Sequence, residues 1–410
     1  MHFRKLYRTI ELIGSKNFDR EGNLLRGVLT EIVENEEIMI KGGRIWKLNP
    51  GKGTYELVDQ IGEVEHIKTP YSLRIEDYPV FQELHKSKTI ISDEQDQYLR
   101  NRGISYYSAT GIGDRIAVNG HTLYQYVMAF NADELNDMFT ATLNIIGSAV
   151  NSALATRKIE RRTRILEQDL DKAREIQKSI LPEHEKRFHN YEMYGVSLAD
   201  RIVGGDFFDY LEIEGDDERL GFVIGDAASK GLSAAAQALY TSGALRMGFE
   251  YQTKISSLLS RVNRLLHKTF SVEHFVTLFY GELTDDRNGL VIFANCGHNN
   301  PVHYRAADGT TEFLETTGQI MGPFPNEIFK TENFMMKPGD VLFLYTDGVS
   351  EAMDQQEQFY GEDRIRDIVS ANHALSAKEI TQNVLEDVQK FSSLGTQSDD
   401  KTILTIKRSP

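Results

Sequence analysis

Four acidic positions stand at the edges of apolar runs. They read Gly204-Gly205-Asp206-Phe207-Phe208-Asp209, Ile224-Gly225-Asp226, Tyr345-Thr346-Asp347-Gly348 and Ser398-Asp399-Asp400-Lys401-Thr402. Runs 220–224, 341–345 and 402–406 beside them have the length and composition of strands. Glycines accompany three of the four sites. Carboxylates spaced this way suggest an oxygen-rich site for hard divalent cations, which take carboxylate, carbonyl and water oxygens. Two such ions held close together make a hydrolytic centre for phosphate esters.

The elements that must position these acids fall in the last of three zones. Residues 3 to 130 predict a small α+β domain. Leu6, Ile10 and Ile13 mark one helical face, and Leu24, Leu25, Val28, Leu29, Ile32 and Val33 a second. Short strands follow: 37–40, a turn at Gly42-Gly43, 44–48, the Pro50-Gly51-Lys52-Gly53 loop, 54–60, and later 123–130. The second zone is one helical pattern over 133–180 with no proline and one glycine, Gly147. A stripe runs through Leu135, Met138, Thr142, Ile145, Ala149, Ser152, Thr156, Ile159, Thr163, Leu166, Leu170, Ala173, Gln177 and Ile180. Up to residue 154 a second stripe (Phe139, Leu143, Ile146, Val150) widens the face toward the first domain. Beyond it the face narrows to a coiled-coil seam, either a parallel dimer stalk or a solvated connector, with the stalk favoured. Leu181-Pro182 ends it. In the third zone, strands at 276–282 and 290–294 and helices at 232–249, 256–270, 364–369 and 377–391 point to α+β or a layered sandwich rather than a doubly wound sheet.

Bulk numbers remove several function classes. Net charge is −15 over 410 residues, against sequence-independent nucleic-acid binding and against membrane attraction. Cys296 is the only cysteine, so no disulfide forms within one chain. The basic start Met1-His2-Phe3-Arg4-Lys5 is not followed by a signal-type apolar run, and no run approaches the length of a membrane span. A soluble cytoplasmic protein is the expectation.

Six ordered motifs then meet a known family: Ala173-Arg174-Glu175-Ile176-Gln177 with Leu181-Pro182; Val203 to Asp209; Ile224-Gly225-Asp226 with Lys230-Gly231; Asn295-Cys296-Gly297-His298-Asn299; Leu344 to Val349 with Glu351-Ala352; and Asp399-Asp400 with Thr402. In this order they resemble the SpoIIE-type phosphatases, a branch of the metal-dependent PP2C-like serine/threonine phosphatases. The resemblance implies an α-β-β-α sandwich over 183–410. It implies that Asp206, Asp226, Asp347 and Asp399, with the carbonyl of Ala227, hold two Mn²⁺ or Mg²⁺ ions. Water activated there would attack phosphorus in line. The substrate it implies is a phosphorylated regulatory protein, an anti-sigma-factor antagonist. More weakly, residues 1–132 resemble a GAF-type sensory domain receiving a small-molecule or protein signal, with 133–182 as the linker and homodimer stalk. Tyr106, Tyr107, Tyr124 and Tyr126 there either line a pocket or, preferably, pack in strands. Residues 173–177 would carry the signal to the metal site.

Several positions keep alternatives. Asp399 is preferred over its neighbour Asp400 as the ligand. Asp209 either orients a ligand or is a solvated loop acid. Arg201 and Lys230 are phosphate-contact candidates, or a surface arginine and a solvated helix-start lysine. His298 either caps a turn, the favoured role, or positions a ligand. Cys296 reads as a small buried hydrophobe. The family's Val-Ser-Gly is replaced by Ala227-Ala228-Ser229, so Ser229 strains the turn if that position needs positive φ. That departure motivates a rival, a silent phosphatase-like binding module. A nucleotide-processing enzyme is disfavoured because no P-loop glycine cradle is present.

Overall fold

The computed structural model describes residues 21–34, 40–63, 66–132, 137–200, 202–251, 253–285, 287–393, 395 and 399–409. The chain divides into two compact units, residues 1–165 and 166–410, and the division falls inside the helix Asp137–Ile180.

The first unit is built on six strands: β1 (Ile40–Asn49), β2 (Thr54–Gly62), β3 (Ser72–Arg74), β4 (Thr89–Asp93), β5 (Tyr106–Val118) and β6 (His121–Ala132). They pair antiparallel in the order β3-β2-β1-β6-β5-β4. On one face lies the helix Glu21–Val33, whose Leu24, Leu25, Val28, Leu29 and Ile32 are buried as its periodicity predicts. Phe139, Leu143, Ile146 and Val150, the second stripe of the long helix, share that core. The other face buries Trp46, Leu48, Tyr55, Phe81 and Leu84 beneath short helical turns. Ile145, Ile159 and Leu166 of the first stripe are exposed on this chain. The helical face at residues 6–13, the strand start at 37–39 and Leu135 lie outside the described residues.

Gly42-Gly43 is not a turn: both glycines sit inside β1. A Cβ on Gly43 would stand 2.6 Å from a Leu29 methyl, so the pair lets the helix close on the strand rather than breaking the strand. Gly147 serves the long helix similarly, with Thr110 2.5 Å from where its Cβ would be.

Strands β7 (Glu185–Phe188), β8 (Tyr191–Leu198), β9 (Phe207–Ile213), β10 (Asp216–Ala227), β11 (Val276–Thr284), β12 (Leu290–Cys296), β13 (Val302–Arg305), β14 (Thr310–Phe313), β15 (Glu332–Met335), β16 (Val341–Tyr345) and β17 (Lys401–Arg408) form the second unit's sheets. One has the order β15-β12-β11-β10-β9, the other β14-β13-β16-β17-β8-β7. The apolar runs are continuous because both faces of the strands are covered. Phe222 and Ile224, with Phe279, Leu342, Leu344, Leu404 and Ile406, fill the space between the sheets. Val223 and Ala227 turn instead to the helices Leu232–Glu250 and Ile255–Thr269. Val341, Phe343, Tyr345 and Ile403 turn to Glu362–Asn372 and Ala377–Ser392. The result is an α-β-β-α sandwich. Ser376 and Glu379 close a capping box on the last helix.

Candidate metal centre

The antiparallel ladders decide which acids meet. Asp206 directly precedes β9 and Asp226 lies at the end of β10, with Gly225 opposite Phe207. Asp347 follows β16 and Asp399 precedes β17, where Tyr345 pairs with Ile403. Thr346 joins the two sheets. Its hydroxyl donates to Asp206 Oδ2 (2.6 Å) and accepts from the Thr402 amide (2.9 Å), while its own amide donates to the Thr402 carbonyl (3.0 Å). The sequence reading missed this buried threonine; its only signal was a hydroxyl beside the third aspartate.

Asp400 separates itself from Asp399. Its Oδ2 accepts from the Gly205 amide (2.6 Å) and its Oδ1 from the Asp200 amide (2.8 Å), so it ties down the loop before Asp206. A Cβ on Gly204 would stand 2.5 Å from Asp400 Oδ2, and one on Gly348 1.9 Å from the Asp400 carbonyl. Both glycines are there for close approach. Asp399 spends one oxygen on the Asp400 amide (3.0 Å) and the other on Lys230 Nζ (2.9 Å), on the partly exposed rim.

The charges are not balanced. Burial, then the charge of Asp226, holds the Asp206 carboxyl well above the usual range. Asp226 is pushed up to about 7 by burial and then by Asp347, with Asp399 and Asp400 adding to it. Asp347 is raised by burial, then by Glu351 and Asp399. Like charges that raise one another's pKa are what a bound cation relieves. The donors, all carboxylate and carbonyl oxygen, fit a hard divalent ion in kind. Among the described residues no three acidic, His or Cys side chains already stand as a closed ligand cage. The arrangement is a convergent cluster, not a preformed shell.

Other sequence candidates sort as follows. The Ala227 carbonyl, at the end of β10, accepts from the Ser229 amide at 2.6 Å. Ser229 is not among the residues with positive φ, so the feared strain is absent; the left-handed position is Gly231, at φ 69°. Lys230 is half-exposed and ion-paired to Asp399, not simply solvated. Arg201 lies outside the described residues. Asp209 is no loop acid: it lies within β9, 1% exposed, gripped by Arg246 (2.6 and 2.9 Å) and Ser242 (2.7 Å). Arg246 also donates to the Ile180 carbonyl (2.8 Å), fastening the end of the long helix. That arginine, 37 residues from its acid, had no sequence signal. His298 sits in a buried turn, its amide donating to Asn295 Oδ1 (2.8 Å) and its ring against Thr277 (2.8 Å); burial lowers its pKa to about 4. Cys296 is fully buried, and burial pushes its thiol pKa up.

Of Ala173, Arg174, Glu175, Ile176 and Gln177, only the last is buried. Its amide grips Gly204 at two points, Nε2 donating to the carbonyl (2.7 Å) and Oε1 accepting from the amide (3.3 Å). Gly204 is two residues from Asp206, so the last turns of the long helix are fastened to the loop carrying the first carboxylate.

Residues 216–409 match the family model described as Stage II sporulation protein E (SpoIIE). The chain is 30% identical over 269 residues to Protein IcfG of Synechocystis sp. (strain ATCC 27184 / PCC 6803 / Kazusa), a match covering 58% of this chain and 41% of IcfG. It is 22% identical over 243 residues to Phosphoserine phosphatase RsbU of Bacillus subtilis (strain 168), covering 59% of this chain and 71% of RsbU. The solved SiaA-PP2C domain of Pseudomonas aeruginosa superposes with a TM-score of 0.52 at 19% identity, covering 60% of this chain and 98% of that one. No helix among the described residues is long and apolar enough to cross a membrane.

Proposed function

The second unit carries a SpoIIE PP2C-type phosphatase domain, and from that premise we propose that this protein is a signal-regulated, metal-dependent serine/threonine phosphatase acting on a phosphorylated regulatory protein in the cytoplasm. The observation that carries the reading is the mutual crowding of Asp206, Asp226 and Asp347, with Asp399 beside them on Lys230, while Asp400 is committed to backbone amides. Those four carboxylates and the Ala227 carbonyl would hold two Mn²⁺ or Mg²⁺ ions. Bound ions supply acidity for the attacking water and positive charge for the phosphoryl oxygens.

The chain's own residues do the rest. Thr346 fixes Asp206 across the two sheets, and Asp400 fixes the backbone on which Asp206 rides. Lys230, at the rim, would trade Asp399 for a phosphoryl oxygen as substrate and ions enter. Leaving-group protonation would come from water or another group, since no histidine stands near Ala228 in the sequence as it does in eukaryotic relatives. RsbU is named a phosphoserine phosphatase, and an anti-sigma-factor antagonist of the partner-switching kind is the substrate class that the family resemblance implies. In this reading the first unit is a GAF-like sensor. The exposed stripe of Ile159 and Leu166 is the seam of a homodimer stalk, and Gln177 carries its movement to Gly204.

A second reading keeps the fold and drops turnover: a binding module in which Lys230 stays on Asp399. One experiment separates the two. Full-length protein is given a phosphoserine peptide with Mn²⁺, then with chelator. Metal-dependent phosphate release that Asp347→Asn abolishes supports the enzyme; no release in any condition, with the peptide still bound, supports the module.

A further inference from the structure

One turn of the second unit touches the supports of two acids at once. It is the segment 295–300, where β12 ends, and it is closed by Asn295, whose side chain is fully buried. That side chain accepts from the His298 amide (2.8 Å) and donates to the His298 carbonyl (3.1 Å). Gly297 supplies the left-handed backbone, at φ 69°. The directions in which His298 and Asn299 leave the turn are therefore fixed.

On one side the turn reaches the strand beside Asp226. Asp226 stands opposite Thr277 in the ladder of β10 and β11. Thr277 Oγ1 and His298 Nδ1 share a hydrogen bond (2.8 Å). On the other side the turn reaches the second sheet. Asn299 Nδ2 donates to Ser350 Oγ (3.4 Å), and Ser350 Oγ donates to the carbonyl of Asp347 itself (3.3 Å). The Tyr345 backbone, two residues before Asp347, lies close enough to favour a proton on the His298 ring. Asp226 and Asp347 stand on different sheets, so no strand pairing sets the gap between them. The gap matters, because the charge of Asp347 is felt at Asp226.

We propose that His298 and Asn299 are positioning residues of the cation site, setting the separation of Asp226 from Asp347 across the two sheets. The inference deepens the reading of those acids as cation ligands and rests on it. Two features distinguish this role from turn formation alone. His298 is 2% exposed, and its Nε2 is enclosed without a hydrogen-bond partner. Such a nitrogen costs stability, and an apolar side chain would fill the space without that cost. Burial also keeps the ring neutral, its pKa lowered to about 4, so the strut adds no positive charge to compete with bound cations. Divalent ions hold oxygen ligands within narrow distances, so a small shift of either acid is felt as lost affinity.

The test is Mn²⁺ binding to metal-free full-length protein, followed by calorimetry and by electron paramagnetic resonance of free Mn²⁺, with denaturant melts of the same samples. Thr277→Val and His298→Leu should each weaken Mn²⁺ binding about tenfold, as loss of a group that orients a ligand does. The double variant should be no weaker than either alone, because both remove one bond. His298→Asn places an amide close to where Nδ1 stands and should recover most of the affinity. Asn299→Ala should act in the same direction but less, since its bond to Ser350 is long (3.4 Å). His303→Asn is the control. His303 is equally buried, at 1% exposed, but pairs with Leu342 inside β16, away from its Asp347 end. It should lose stability and keep Mn²⁺ affinity within about twofold. Should His298→Leu fail to fold, the half-buried Thr277→Val decides alone. Wild-type affinity in the folded Thr277 and His298 variants, or an equal loss in His303→Asn, overturns the proposal and leaves His298 a turn residue. No Mn²⁺ uptake by the wild-type protein is a different result: it removes the cation site, and this inference with it.

Discussion

Both units bury charge, but they do so in opposite ways. In the first, Arg44 and Glu94 share one cavity and balance. In the second, Asp206, Asp226 and Asp347 crowd one another, and Lys230 sits on the exposed rim against Asp399. A balanced cluster needs no added charge. An unbalanced one is stable only with added positive charge or bound protons. The proposed cation site of the second unit rests on this contrast as well as on its relatives.

The contrast can be broken most forcefully at its negative end. Asp206→Asn should lower metal-dependent phosphate release by about a thousandfold. Activity within tenfold of wild type would show that the buried acid is only structural. Next in size is a difference of sign between the units in metal-free protein near neutral pH. Glu94→Gln should destabilise the first unit by about 2 kcal/mol, because Arg44 loses its counter-charge. Asp226→Asn should leave the second unit unchanged or more stable, because repulsion is removed. Denaturant melts of each unit decide it, and destabilisation in both would erase the distinction.

The same logic sets a pH dependence. Asp226 holds its proton to about pH 7 when folded and releases it near pH ~4 when unfolded. The folded state therefore binds the extra proton between those values. Metal-free stability of the second unit should fall as pH rises from about 4 to 7, and saturating Mn²⁺ should flatten the curve. A curve that rises across that window contradicts the cluster. Gln177→Ala should cost about 1 kcal/mol of stability but lower kcat about tenfold with KM little changed, because it frees Gly204 rather than removing a ligand. Equal effects on wild-type and 1–150-deleted protein would disconnect it from signalling. The smallest effect is expected for Ser229→Gly, a loss of about 0.5–1 kcal/mol, since Ser229 holds no left-handed backbone that glycine would relieve.

The second unit was more legible in sequence than the first, for a physical reason. Its strands are covered on both faces, so 220–224, 341–345 and 402–406 are apolar runs interrupted only by Gly221, Thr402 and Thr405, each with an aspartate close to one edge. The first unit's sheet is punctuated by glycines that serve packing. Gly43 lies under Leu29, and a Cβ on Gly111 would stand 2.1 Å from the Tyr124 ring. A glycine required by a neighbour 13 or 14 residues away reads locally as a turn, so β1 was cut short and β5 overlooked. Contacts such as Thr346 with Asp206, or Arg246 with Asp209, join residues whose proximity exists only after the sheets pair. The bonds of Asp400 to the amides of Gly205 and Asp200 likewise form only in the fold, where a linear reading does not see them.

The central claim is that the acids of the second unit form a cation site. It is tested most directly by Mn²⁺ titration of the metal-free full-length protein, followed by calorimetry and by electron paramagnetic resonance of free Mn²⁺, beside Asp226→Asn and Asp400→Asn. The account predicts saturable uptake of two Mn²⁺ per chain, lost in Asp226→Asn and weakened but retained in Asp400→Asn. No uptake at millimolar Mn²⁺, or uptake undiminished in Asp226→Asn, would contradict it.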